Sequence, residues 1–145
     1  GSRGGLQAML MEIAPLLQAY FREQNEFHGE FWVATVPLHV RKLKKRGFDQ
    51  SYLIAREIAE ITNMPFRADI LARVKETEPQ ARKHKNDRLK NVRDAFIVNR
   101  PEEVRGSDLL LVDDVFTTGA TLNEAAKVLK KAKVGRVLAF TVARA

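Results

Sequence analysis

The chain has 145 residues, about the size of one domain, and 45% of them are hydrophobic, which is enough for one core. It has no cysteine, so disulfides, thiolate catalysis and cysteine-ligated zinc are excluded, and no apolar run reaches the roughly 20 residues of a membrane span. No signal-peptide pattern is present, and we expect a cytoplasmic protein. The 25 Lys and Arg against 18 Asp and Glu give a net charge of +7, which favours an acidic partner: nucleic acid, a polyphosphate metabolite or an anionic membrane surface.

Helical and strand-type patterns alternate along the chain. Gly1-Ser2 looks like a cloning scar, and residues 6–23 then show helical spacing with a kink or restart at Pro15. Phe31–Val36 is rich in β-branched and aromatic residues and predicts a strand that stops at Pro37. We expect residues 1–30 to form a tag scar and a helical segment, and residues 31–145 to form the main domain.

The next predicted elements are a helix, a strand, a loop and a second strand: Tyr52–Ile61, Ile70–Val74, Lys75–Lys90 and Ala95–Val98. The helix has Asp49 or Ser51 available as its N-cap. The loop is polar, charged and without period, and a loop of this length in one domain is usually functional or disordered.

The C-terminal third of the chain predicts a strand, a helix and a strand. Leu109–Val112 is wholly apolar, as is typical of a central parallel strand covered on both faces. Leu122, Ala125, Ala126 and Leu129 have helical spacing, and Arg136–Val142 closes the chain with another strand. The alternation predicts an α/β fold with a mostly parallel, twisted sheet and helices on both faces.

Basic residues are clustered in three places. Arg41–Arg46 holds five of them and Arg82–Arg93 holds six together with His84. A third cluster lies at the end of the last predicted helix: Lys127, Lys130, Lys131 and Lys133. Cations there interact favourably with the helix dipole, so this cluster does not require a ligand. The first two clusters are therefore the candidates for binding an anion.

Leu109–Thr121 is the most informative segment, because two carboxylates and a Thr-rich turn follow its apolar run. Ligands of open parallel sheets bind beyond the carboxyl ends of the strands. Asp113 and Asp114 would accept hydrogen bonds from sugar hydroxyls or hold Mg²⁺ there. The turn would bind phosphate through its hydroxyls and the N–H groups of a helix N-terminus. A structural alternative is a capping box made by Thr121 and Glu124. However, two adjacent carboxylates at the end of a buried strand cost desolvation free energy unless a ligand or a cation pairs with them.

The same segment resembles the 5-phosphoribosyl-1-pyrophosphate (PRPP) signature of type I phosphoribosyltransferases: four apolar residues, two acids, two apolar residues and Thr-Thr-Gly-x-Thr. The resemblance implies the type I phosphoribosyltransferase fold, with PRPP and Mg²⁺ as ligands. It assigns the catalytic role to Asp113 and Asp114. It assigns the 5-phosphate to the residues of the turn: Thr117, Thr118, Gly119, Ala120 and Thr121.

Two further segments resemble the ComF family of competence proteins and its GntX-like relatives. In Val36–Ala55 the matching positions include Pro37, Leu38, Arg46 and Gly47, which the resemblance places on a pyrophosphate loop. Thr77–Phe96 also matches. In type I phosphoribosyltransferases the segment that corresponds to Lys75–Lys90 is a mobile flap over PRPP, and the resemblance implies four candidate contacts there: Thr77, Gln80, Lys83 and Arg88. The family usually has Asn at the position of Asp49 and commonly Leu at the position of Lys83. Its N-terminal Cys-rich zinc module is missing, which agrees with a truncated or naturally short form.

The ComF resemblance implies a PRPP-binding, phosphoribosyltransferase-like protein with a role in DNA uptake during natural competence. Single-stranded DNA and a helicase-like ATPase are the expected partners, and the sequence leaves a homo-oligomer open. The alternative is an active glycosyltransferase that transfers ribose 5-phosphate from PRPP to a nucleobase or another acceptor in nucleotide salvage. No residue identifies the acceptor, so the sequence leaves catalytic activity open.

Overall fold

A parallel three-stranded sheet forms the centre of the described chain. The structure, a computed structural model, describes residues 14–23, 31–38, 44, 49–74, 94–116 and 119–144. In chain order its elements are α1 (residues 14–22), β1 (Phe31–Thr35), α2 (Gln50–Thr62), β2 (Leu71–Arg73), β3 (Phe96–Val98), α3 (Pro101–Val104), β4 (Asp108–Phe116), α4 (Ala120–Lys131) and β5 (Val137–Arg144).

The apolar run of the sequence forms the central strand. β4 lies between β1 and β5 and pairs with both in parallel. On the far side of β1, the backbone around Phe66 adds a short parallel bridge to Val33. β2 and β3 form a separate antiparallel pair. The predicted α/β architecture with a mostly parallel sheet is confirmed.

Residues that alternate along the central strands enter two different cores, one on each face of the sheet. Leu110 and Val112 pack with α1 and α2, in a cluster that includes Leu17, Phe21, Ile54 and Ile58. Leu109 and Leu111 pack on the opposite face with α4 and the β2–β3 pair, in a cluster that includes Leu122, Ala125, Leu129 and Phe96. Strand side chains alternate between faces, and a strand that is apolar at every position is therefore covered on both.

The N-cap of helix α2 is Asp49, one of the two residues that the sequence predicts for this position. The side chain of Asp49 accepts a hydrogen bond from the backbone N–H of Tyr52 at 3.2 Å, whereas Ser51 lies inside the helix and is buried. The helix ends at Asn63, whose left-handed backbone (φ 59°) lets its N–H donate to the Ala59 carbonyl. Ile54 and Ile58 are buried as expected, and Ile61 is half-buried.

Most of the other predicted elements are present, with shifted ends. The strands predicted at Ile70–Val74 and Ala95–Val98 are β2 and β3, and residues 14–22 form part of the predicted first helix. The four-residue helix α3 was not predicted. The predicted loop Lys75–Lys90 lies outside the described residues. None of the helices in the described segments has the length and apolar character that a membrane crossing requires.

The amino ends of β4 and β5 are held together by Asp108. Its carboxylate accepts from the backbone N–H of Arg136 at 2.6 Å and from the Arg136 guanidinium at 3.1 Å. The guanidinium carbon also lies 4.8 Å from the centre of the Phe31 ring. The backbone hydrogen bond from Arg136 is the main reason that the pKa of Asp108 lies below its ordinary value. This contact joins β4, β5 and the start of β1 at the edge of the sheet away from the predicted site.

Replacing Asp108 with Ala is expected to lower the free energy of unfolding by about 1–2 kcal/mol at pH 7, because the Arg136 N–H loses its acceptor. The folded-state pKa of Asp108 is depressed, so its stabilisation is complete above the unfolded-state pKa and is lost as the pH falls through the folded-state value. Urea unfolding over a pH series checks this: the wild-type advantage should shrink below the ordinary pKa of 3.8. An advantage that stays constant down to lower pH would contradict it.

A substitution at Gly135 gives a second test of the Asp108 contact by urea unfolding. A Cβ added at Gly135 would collide with Oδ1 of Asp108. Gly135→Ala is therefore expected to destabilise the wild-type protein more than the Asp108→Ala variant, in which that oxygen is gone. Additive effects of the two substitutions would show that the close approach to Asp108 is not what requires glycine.

Candidate functional site at the carboxyl edge of the sheet

The central strand is paired on both sides only up to Val112. Thr35 is the last β1 residue in register with it, and the N–H of Val36 donates to the Val112 carbonyl at 3.0 Å. The chain then leaves the sheet at Pro37 and Leu38, which are half-buried. From Asp113 onward, β4 still pairs with β5 but no longer pairs with β1.

The central strand does not end at the two acids, as the apolar run Leu109–Val112 had predicted. β4 continues through Asp113 and Asp114 to Phe116. The physical reason is the length of β5, which extends to Arg144 and stays in register with β4: Asp113 faces Thr141 and Phe116 faces Arg144. Both acids are thus strand residues whose backbone is held by a neighbouring strand.

Asp113 has a cationic neighbour that sequence reasoning missed. Arg73 is the last residue of β2, and its guanidinium carbon lies 5.2 Å from the centre of the Phe96 ring. Burial lowers the pKa of the Arg73 guanidinium from its ordinary value, and the attraction of Asp113 acts in the opposite direction. The signal in the sequence was a lone arginine within the predicted strand Ile70–Val74, where a charge is unexpected unless it has a partner.

The helix that follows the acids begins at a glycine. Gly119 is the N-cap of α4 and has a left-handed backbone, with φ 80° and ψ −2°. The position therefore favours glycine, since L-residues rarely adopt that conformation. Glycine has no side chain to accept hydrogen bonds from the first helical turn, and no acidic residue lies in that turn. An anion is the natural acceptor at such a helix start.

The structural alternative of a capping box is not formed. Thr121 is the second residue of α4 rather than its N-cap. The carboxylate of Glu124 instead accepts from the backbone N–H of Asp94, at 2.9 Å. A capping box needs Ser or Thr at the N-cap itself, and here Gly119 occupies that position.

Part of the predicted set lies among the described residues: Asp113, Gly119, Ala120, Thr121, Pro37 and Leu38, and for Asp114 the backbone position is described. The other candidate residues lie outside them: Arg46, Gly47, Thr77, Gln80, Lys83, Arg88, Thr117 and Thr118. The binding and catalytic roles assigned to all of these residues stay predictions.

The rings of three aromatic residues could stack on a base (Trp32, Phe48 and Phe96), but the two that the structure describes pack in or against the core. Phe96 is buried, and Trp32 packs against the same cluster with the Arg67 guanidinium carbon 5.0 Å from its ring centre. Both therefore support the sheet rather than the edge where the acids lie. Phe48 lies outside the described residues.

The site offers oxygen ligands for a divalent cation. Within residues 14–23, 31–38, 49–74, 94–116 and 119–144, no cluster of three or more His, Cys, Asp or Glu side chains is placed to hold a metal ion. Mg²⁺ typically binds through one or two carboxylates together with waters and substrate phosphates. The carboxylate of Asp113, at the carboxyl edge of the sheet, is a donor of this kind.

The chain is similar to curated proteins named for competence and for DNA utilization. The chain is 34% identical over 114 residues to competence protein F of Haemophilus influenzae, a match that covers 78% of this chain and 50% of the relative. It is 32% identical over 115 residues to competence protein ComFC of Bacillus subtilis, covering 79% of this chain and 45% of the relative. The matched segment thus spans about half the length of these proteins.

Solved structures show the same fold. Adenine phosphoribosyltransferase of Leishmania donovani superimposes with a TM-score of 0.55 at 19% identity, over 93% of this chain and 52% of that one. The family model described as phosphoribosyl transferase domain matches residues 7–145. The chain therefore belongs to the phosphoribosyl transferase domain family, and within it resembles the ComF competence proteins.

Proposed function

We propose that this domain binds PRPP together with Mg²⁺ at the carboxyl edge of its sheet, as a component of a DNA-uptake pathway. One observation carries the proposal: the segment that matches the PRPP signature lies on the central strand, beyond the point where β1 leaves it, and leads into a helix with a glycine N-cap. Ligands of open parallel sheets bind at this edge.

Each part of PRPP has a candidate partner. The 5-phosphate would bind the turn from Thr117 to Thr121, where the N-terminus of α4 favours negative charge. Asp113 and Asp114 would accept hydrogen bonds from the two ribose hydroxyls. The pyrophosphate would lie near Pro37 and Leu38 and their loop, which carries Arg46 and Gly47. Lys83 and Arg88 of the later basic segment are further candidates, from resemblance to the family.

A bound Mg²⁺ would neutralise pyrophosphate charge and hold its oxygens in place. The residues of the chain would position the sugar between the phosphate turn and the acids, and Arg73 would offset part of the negative charge of Asp113. If an acceptor is present, a bond forms between it and C1 of the ribose while the bond from C1 to pyrophosphate breaks. Carboxylates beside the ribose would stabilise the positive charge that develops on the ring.

The relatives support a role in DNA uptake over nucleotide salvage. Similar curated proteins are named for competence or for DNA utilization, whereas the salvage enzymes are matched at under 25% identity and share the fold. In the proposed role the domain acts in the cytoplasm, beside a helicase-like ATPase that handles single-stranded DNA. PRPP binding would then either regulate the protein or supply a transfer reaction to an acceptor that is still to be identified.

Replacing both Asp113 and Asp114 with Asn is expected to weaken PRPP binding in the presence of Mg²⁺ by at least about a hundredfold, because two charge-assisted contacts at about 1.5 kcal/mol each are lost. Isothermal titration calorimetry with and without Mg²⁺ measures this. Removing two adjacent like charges relieves their repulsion but deprives the partly buried Arg73 of the attraction of Asp113, so we expect a folded variant with a modestly lowered melting temperature.

Glu102 and Glu103 provide a matched control, since they are also adjacent acids, on α3. Replacing both with Gln removes the same charge and should leave PRPP binding unchanged. A wild-type protein that gives no binding heat with PRPP, with or without Mg²⁺, would refute the proposal. An unfolded Asp113/Asp114 variant would assign the acids to the fold instead.

The basic cluster Arg41–Arg46 is expected to contact single-stranded DNA. Binding measured by fluorescence anisotropy should weaken steeply with salt, with a log–log slope of about −0.7 per phosphate neutralised. Replacing Lys42, Lys44 and Lys45 with Gln should lower both the affinity and the magnitude of this slope, because fewer counterions are released.

The control for this experiment is the triple replacement of Lys127, Lys130 and Lys131 with Gln, which removes the same charge from α4. The last two of these lie in the final turn of the helix, where the helix dipole accounts for them. An equal loss in both triple variants would show that net charge, and not the Arg41–Arg46 cluster, drives binding. Binding that does not depend on salt would exclude the phosphate contacts altogether.

A further inference from the structure

Glu124 makes a contact that the phosphate turn itself does not explain. Its Oε1 accepts from the backbone N–H of Asp94 at 2.9 Å, across 30 residues of sequence. Asp94 has a left-handed backbone with φ 58°, an uncommon conformation for a residue with a side chain. The hydrogen bond therefore fixes a specific backbone conformation where the chain enters β3.

The contact joins the β2–β3 pair to the helix of the phosphate turn. Ala95 and Phe96 follow Asp94 and are buried in the same cluster as Leu122 and Ala125 of α4. At this end of the pair, Val74 N–H donates to the Ala95 carbonyl at 2.7 Å. Apolar packing resists separation of two elements but is not directional, whereas a hydrogen bond to a defined N–H also fixes their relative orientation.

A glutamate at this position is unfavourable for phosphate binding on electrostatic grounds alone. Glu124 lies about one turn of helix beyond Gly119–Thr121, so its negative charge repels a phosphate bound there. A residue selected only for the electrostatics of that site would be neutral or basic. Electrostatics at that site therefore does not explain the glutamate, whereas the hydrogen bond from Asp94 gives its carboxylate a structural role.

We propose that Glu124 is a positioning residue for the 5-phosphate: by anchoring Asp94, it sets the position of the α4 N-terminus relative to the β2–β3 pair. This inference rests on the proposed binding of PRPP. Through the same pair of strands, Arg73 lies within electrostatic reach of Asp113. The β2–β3 pair is thus connected both to the acids and to the helix that follows them.

Two substitutions separate positioning from charge. Glu124→Gln keeps an oxygen acceptor for the Asp94 N–H and removes the negative charge, and Glu124→Ala removes both. We expect Glu124→Ala to weaken PRPP and ribose 5-phosphate binding by the same factor, about tenfold, while pyrophosphate binding stays unchanged. Glu124→Gln should bind all three ligands like the wild type or slightly more tightly. A purely electrostatic role predicts instead that both variants bind more tightly.

Asn99 provides a control for stability. Its side-chain Nδ2 donates to the Asp69 carbonyl at 2.7 Å, which is the equivalent side chain-to-backbone contact at the other end of β3. Asn99→Ala should lower the melting temperature about as much as Glu124→Ala and leave every affinity unchanged. Calorimetry with magnesium-PRPP, ribose 5-phosphate and pyrophosphate, alongside thermal melts, gives all the readouts.

The outcomes separate this inference from the proposed function. If the wild type binds PRPP and Glu124→Ala binds it equally well, Glu124 is not a positioning residue, and the proposed function stands. The same conclusion follows if Glu124→Ala weakens pyrophosphate as much as ribose 5-phosphate, or if Asn99→Ala weakens PRPP to the same extent. A wild type that does not bind PRPP overturns the proposed function and this inference with it.

Discussion

The site depends on unequal pairing of the central strand. β4 is held by β5 along its whole carboxyl half, while β1 stops at Thr35 and turns away at Pro37. β5 pairs with the backbone of Asp113, whereas β1 no longer pairs with β4 at that position. A strand paired on both sides to its end would leave no room for a ligand, and an unpaired one would not hold the acids in place.

Two hydrophobic cores, one on each face of the sheet, hold the central strand in place. Because β4 is apolar on both faces, α1 and α2 cover one side of the sheet while α4 and the β2–β3 pair cover the other. The helix that begins at the proposed phosphate turn is therefore fixed along its length by buried leucines such as Leu122 and Leu129. At the opposite edge, Asp108 joins the strands and leaves the carboxyl edge for binding.

The sequence predicted those features that local patterns determine. The apolar run of β4, the helical spacing of α2 and α4 and the glycine at position 119 each follow from short-range chemistry, and the structure has all of them. Long-range pairing was not predictable in this way. The continuation of β4 past Asp113 depends on the length of β5, and the contacts of Arg73 and Glu124 join residues about 30 or more positions apart. Such pairs have no signature in a single sequence.

The most direct test of the proposed PRPP site is a crystal structure of the protein grown with PRPP and Mg²⁺. We expect electron density for the 5-phosphate against the backbone N–H groups at Gly119–Thr121, with both ribose hydroxyls within hydrogen-bond distance of the carboxylates of Asp113 and Asp114. The pyrophosphate should lie on the side of β4 that β1 vacates at Pro37. A ligand bound elsewhere, or one that contacts this edge without touching either aspartate, would contradict the central claim.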